Sequence, residues 1–158
     1  MAPPQRVVLD TNVCLDLFVF GDAACAALCA ALAAGDVEAV ADAACRDEWL
    51  RVLAYPQLAL DAARRATAIA AFDACLRMLP QRQPSPEAPR LPRCADPDDQ
   101  KFLELAQASG AQWLLSRDNA LLKLARRTRR EHGFGIVTPQ DWSRAYAGLA
   151  GASSAKPV

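Results

Sequence analysis

The chain is 158 residues long with 53% apolar and 23% charged residues, the balance of one ordinary folded domain rather than of a disordered segment. Lys and Arg together number 18 and Asp and Glu together 18, so net charge gives no hint of a nucleic-acid partner, and any such partner has to be argued from local clusters. The longest charge-free apolar stretch, Ala23 to Gly35, is too short to span a bilayer, and Met1 to Arg6 shows no signal-peptide pattern, so no membrane partner and a cytoplasmic location are expected.

Arg6 to Leu9 is a short β-branched run, read as a buried strand. Asp10, Thr11 and Asn12 follow, polar and able to cap a helix from Val13 to Phe20. Gly21 and Asp22 separate this from a helix over Ala23 to Ala34, read as packing on the sheet. Val37 to Ala41 is the second strand. Asp42 caps a helix from Ala43 to Tyr55, stopped at Pro56, and Ala59 to Leu79 reads as one long helix. Six prolines between Pro80 and Pro97 predict an extended connection within one domain, with room for a short strand. Asp98 to Ser109 reads as a helix, Gln112 to Ser116 as a third strand, Asn119 to Arg130 as a helix, Phe134 to Val137 as a fourth strand, and Thr138 to Tyr146 as a last helix. Strands alternating with helices predict an α/β fold, a three-layer α/β/α sandwich with a mainly parallel central sheet. Residues 1–148 form its single domain and 149–158 a flexible C-terminal tail.

Six cysteines (Cys14, Cys25, Cys29, Cys45, Cys75 and Cys94) show no C-x-x-C pair, and there is a single histidine. A zinc site is not expected, and most of the thiols read as small buried hydrophobes in a reducing compartment. His132 falls in a polar turn and reads as incidental.

The carboxylates carry the chemistry. Asp10 and Asp118 each follow a strand, and Asp98 and Asp99 open a helix. In a parallel sheet these positions share the edge where ligands bind. Asp99 precedes Phe102, Leu103 and Ala106 by helical spacing, so it points with them toward the sheet. A helix N-terminus favours an ionised acid there by about 0.3–1 kcal/mol, less than the several kcal/mol that burying a charge costs. A cation, or a place on the open rim, resolves the mismatch. With Glu48 as a fourth acid, the set suits Mg²⁺ or Mn²⁺, hard ions that prefer oxygen ligands. Taken singly, each acid has a plainer reading: Asp10, Asp118 and Asp96 as turn or cap residues, Asp98 as a first-turn acid, Glu48 as a solvated helix residue.

These acids lie in a set of motifs: Val7-Val8-Leu9-Asp10-Thr11-Asn12-Val13; Asp47-Glu48-Trp49-Leu50-Arg51-Val52-Leu53; Asp96-Pro97-Asp98-Asp99-Gln100-Lys101-Phe102-Leu103; Trp113-Leu114-Leu115-Ser116-Arg117-Asp118; and Ile136-Val137-Thr138-Pro139. In this order the chain resembles the PIN-domain family from Arg6 to about Trp142, and more narrowly its branch of toxin components of bacterial toxin–antitoxin pairs. The resemblance implies a metal-dependent endoribonuclease that hydrolyses RNA phosphodiesters to 5′-phosphate and 3′-hydroxyl ends. It implies catalytic roles for Asp10, Glu48, Asp99 and Asp118, metal ligation by Asp10, Asp98, Asp99 and Asp118, and support from Asn12 and Ser116. Whether Asp98 or Asp99 is the main ligand stays open. A homodimer and a cognate antitoxin are the further partners it implies.

RNA held against an acidic pocket needs flanking cations. Lys101 and Arg117 adjoin the proposed ligands, and Arg126 and Arg130 belong to the densest basic cluster, which also fits a solvated helix face. The rival functional reading is a non-catalytic PIN-like module that binds RNA or protein. A phosphoryl-accepting domain with Asp10 as nucleophile is disfavoured, because Asn12 stands where such sites place a second acid.

Overall fold

A computed structural model describes residues 3–81 and 86–154. A five-stranded sheet in the order β3-β2-β1-β4-β5 forms its centre, and every neighbouring pair is parallel. The strands are β1 (Gln5–Leu9), β2 (Val37–Ala41), β3 (Leu76–Met78), β4 (Trp113–Leu115) and β5 (Gly135–Val137). The helices are α1 (Thr11–Leu15), α2 (Ala26–Ala34), α3 (Ala43–Leu53), α4 (Ala62–Cys75), α5 (Gln100–Ser109), α6 (Asn119–Leu122), α7 (Ala125–His132) and α8 (Pro139–Ser154).

The chain builds the sheet outward from β1 in two directions, first to β2 and β3, then to β4 and β5. Parallel crossovers are right-handed, so the reversal puts the α1–α4 connections on one face and α5–α7 on the other. This is the three-layer sandwich that the pattern predicts. The core is aliphatic along the strands (Val7, Val8, Leu9, Val40, Leu114 and Leu115 are all buried), and Trp49 stacks on Phe72 at 5.6 Å beside the edge of Phe18.

Several elements differ from expectation. The helix read over Ala59 to Leu79 begins only at Ala62, where Asp61 accepts a bond from the Arg64 amide, and stops at Cys75. Its last residues are β3, an edge strand invisible to periodicity because it is three residues long. Pairing decides it: Leu76 is buried, and Arg77 reaches Glu38 on β2. The helix after α1 is wound as a π-turn from Asp16 to Phe20, ending at left-handed Gly21. The helix read over Asn119 to Arg130 breaks at Lys123 into α6 and α7. Between Pro80 and Pro97 the described residues hold no strand, and residues 82–85 lie outside the described ones. The last helix runs to Ser154, past Tyr146, and the tail's residues 155–158 are outside the description. All six cysteines are free, four of them buried, with Cys29 exposed and Cys75 half-buried.

Candidate active site

The order of the strands locates the site before any side chain is considered. The sheet reverses direction between β1 and β4, and the crevice beyond the carboxyl ends at such a switch point is where ligands bind. The ladder continues one residue past each of these strands: the Asp10 amide donates to the Leu115 carbonyl at 2.9 Å, and the Ser116 amide to the Val137 carbonyl at 3.0 Å. Asp10 and Ser116 therefore arrive side by side on the crevice.

Ser116 is fully buried, and its hydroxyl donates to Asp10 Oδ2 at 2.6 Å while accepting the Asp118 amide at 2.9 Å. One hydroxyl thus fixes the orientation of the first acid and the path of the chain to the last. Asn12 Nδ2 also donates to Asp10 Oδ2, at 3.2 Å, and Asn12 Oδ1 accepts the Arg117 amide at 3.3 Å. Asp118 in turn caps α6 through the Ala120 amide at 2.9 Å. Both supporting residues lie against the acids in this way. Asp118 is a cap as well, so its plainer reading and its place in the site hold together.

Opposite this pair, the short helical turn Pro97–Asp99 delivers Asp99, buried as its helical register demands. Carboxylate oxygens of Asp96, Asp99 and Asp118 lie within 4.8 Å of one another. Burial first, then hydrogen bonding with Asp118 and the charges of Asp10 and Asp96, push the Asp99 carboxyl up to about 8. Burial likewise raises Asp10 above its ordinary range, and the charge of Glu48 adds to this against the pull of the Ser116 hydrogen bond. Among the described residues, no basic side chain is paired with Asp10, Asp96, Asp99 or Asp118. Carboxylates forced together without a counter-charge are a donor set that fits a hard divalent cation.

Glu48 stands slightly apart. Its Oε2 accepts from the Thr11 hydroxyl and its Oε1 from Lys101 Nζ at 2.7 Å, with both ends of the ion pair mostly buried. Lys101 also donates to the Asp98 carbonyl. The Asp98 side chain itself is exposed and is not in the group of three; Asp99 takes that place.

Arg117 projects from between Ser116 and Asp118, half exposed. Arg126 and Arg130 are exposed on α7, which packs on the far edge strand β5; Arg130 meets Glu131 at 3.4 Å, and neither arginine contacts an acid of the crevice. His132 is not a surface turn residue: its side chain is only 1% exposed, beside Phe134 and Gln107.

Asp96 reads from the sequence as a turn or cap residue, and it does accept the Asp98 amide at 3.0 Å. Its second place, in the acidic group, could be read only by folding the Asp-Pro-Asp-Asp run into its tight turn. Thr11 carried no signal beyond its neighbours.

No curated protein sequence matches the chain. The PIN domain matches residues 6–120, well over half of the chain, a span that contains Asp10, Glu48, Asp96, Asp98, Asp99 and Asp118. PIN domains are in general nucleases and typically use divalent metals, as the acids here allow. On the extent of that match, with the parallel sheet and the acidic crevice at its switch point, the chain belongs to the PIN-domain family.

Proposed function

We propose that the chain is a divalent-metal-dependent endoribonuclease, with Asp10, Asp99 and Asp118 holding Mg²⁺ or Mn²⁺ and Asp96 joining them. The observation that carries this is the meeting of Asp96, Asp99 and Asp118 within 4.8 Å with no basic partner. When bound, a divalent cation lowers the pKa of a coordinated water and neutralises charge that develops on a phosphodiester.

The residues divide the remaining work. Ser116 and Asn12 aim the Asp10 carboxylate into the crevice. Asp99 keeps a proton up to about pH 8 while the acids face each other alone, and loading the site releases that proton. Glu48, with one oxygen on Lys101 and the other on Thr11, acts through its charge on Asp10. Lys101 and Arg117 provide positive charge at the rim, where an RNA backbone would lie. The resemblance further supports a toxin role with a cognate antitoxin, a homodimer and a cytoplasmic location.

The test is cleavage of labelled RNA with Mg²⁺ or Mn²⁺ and an EDTA control. Replacement of Asp10 by Asn is expected to lower the rate at least about a hundredfold; unchanged cleavage overturns the mechanism. One observation favours a second reading. The Lys101–Glu48 pair already neutralises one acid without any ion, as a non-catalytic RNA- or protein-binding module would have it. Wild-type protein that binds RNA and never cleaves it would establish that module.

A further inference from the structure

Asp16 has no task in the scheme above, yet its environment is specific. It begins the π-turn after α1, its carbonyl accepting the Gly21 amide and also the Asp22 amide at 2.9 Å, and single π-turns are frequent at functional sites. Its carboxylate is 5% exposed. Among the described residues, that carboxylate pairs with Arg117: Nη2 donates to Oδ1 at 3.2 Å, and Nε lies 2.8 Å from Oδ2 in the ion pair. Contact at two points restrains the guanidinium in orientation as well as position.

The arginine so fixed is 52% exposed. Its backbone sits between Ser116, which holds Asp10, and Asp118, and its amide rests on Asn12. A guanidinium carries five N–H donors, and Asp16 engages only one edge of the fork. With half of the side chain exposed, the remaining donors are open to a ligand.

We propose that Asp16 is a positioning residue: it holds the Arg117 guanidinium ready to receive a backbone phosphate of single-stranded RNA beside the acidic cluster. This rests on the RNA-directed reading above. A phosphate contact there offsets the repulsion between the crevice and the RNA backbone, which an acidic site meets before any reaction. A freely rotating arginine would lose side-chain entropy on gripping the phosphate; one already held by Asp16 has lost most of it on folding.

The alternative is a purely structural staple between the β1–α1 and β4–α6 segments, and a double-mutant cycle separates the two. Binding of a fluorescein-labelled single-stranded RNA is followed by anisotropy in Ca²⁺ across a salt series for wild type, R117A, D16N and D16N/R117A, with a thermal melt of each. R117A leaves the Asp16 carboxylate without its partner and is expected to melt lower but still fold, to weaken binding about tenfold and to reduce the salt slope by about one, while the double variant regains stability. D16N is expected to weaken binding about threefold in the wild-type background, but to leave it within about 1.5-fold once Arg117 is gone.

Equal weakening by D16N in both backgrounds overturns the proposal in favour of the staple, as does tighter binding by D16N, which would make Asp16 a mask on Arg117. R117A that binds like wild type overturns it as well. Wild type that binds RNA without cleaving it in Mn²⁺ ends the nuclease reading and leaves this proposal standing. Wild type that binds no RNA ends both.

Discussion

Arg6 on β1 stands opposite Glu38 on β2, Arg77 on β3 stands opposite Val40 and reaches back to Glu38, and each arginine meets Glu38 at 3.1 Å. Burial alone raises the Glu38 carboxyl, but hydrogen bonds from Arg77 and Arg6 outweigh it and hold the group below its ordinary value. At the carboxyl edge of the same sheet, Asp96, Asp99 and Asp118 meet within reach of the Asp10 charge, and among the described residues no basic side chain pairs with them to oppose the burial of Asp99. Both clusters take charge out of water. One is neutralised by residues that the fold supplies, and the other is left for something to arrive. A stable fold has no use for the second arrangement, and that is why the contrast points to function.

The largest effect should come from removing the acid that suffers most. Replacing Asp99 with Asn is expected to lower cleavage at least about a hundredfold, yet to stabilise the metal-free protein by on the order of 1 kcal/mol at alkaline pH. The folded chain holds the Asp99 proton up to about 8, while the unfolded chain releases it near 3.8. Between those values only the unfolded state sheds the proton. Metal-free stability therefore falls as pH rises through this window and levels off above it. Urea melts with EDTA should show that slope in wild type and less of it in D99N. Mn²⁺ should flatten it by taking the proton's place. If D99N destabilises at every pH, the acids are not in conflict and the contrast with Glu38 collapses.

How far the sequence foretold these clusters depends on what each residue answers to. Strands β1, β2, β4 and β5 are legible because each is an apolar run closed by polar or glycine residues. Asp10, Asp99 and Asp118 are legible because strand ends and helix register carry them to one edge of the sheet, although the Ser116 hydroxyl that orients Asp10 comes from 106 positions away. β3 is not legible: Leu76-Arg77-Met78 becomes a strand only because β2 offers an open edge and Glu38 a charge. The hold of Thr11 on Glu48 and the pairing of Asp16 with Arg117 are equally hidden, since each joins residues more than thirty positions apart. Arg126 and Arg130 are the converse case. Their density in the sequence suggests a site, and the break at Lys123 starts a new helix that packs on the far edge of the sheet.

Lys101 tests the ground between the two clusters. With Glu48 it forms an ion pair whose side chains are 17% and 15% exposed, next to acids that have no such partner. Replacing Lys101 by Met leaves the Glu48 charge buried and close to Asp10. A loss of about 2 kcal/mol is expected in urea melts without metal, with most of it recovered in K101M/E48Q. A neutral K101M would show that Glu48 needs no counter-charge and belongs with the uncompensated acids.

The smallest effect is expected at Glu38. Arg77 is 61% exposed, so solvent screens much of its pairing, and E38Q should cost only about 0.5–1 kcal/mol at neutral pH. The sign of the pH dependence opposes that of Asp99. Because the Glu38 carboxyl is held low, its contribution is present above its ordinary value of 4.5 and is lost as pH falls. The stability gap between wild type and E38Q should thus close in acid, while D99N departs from wild type toward alkaline pH. RNA cleavage should be the same in E38Q as in wild type, because among the described residues neither Glu38 nor its two arginines bonds to an acid of the crevice. A drop in cleavage larger than the lost stability explains would mean that strand registry carries strain from one cluster to the other, and the two would then have to be treated as a single electrostatic unit.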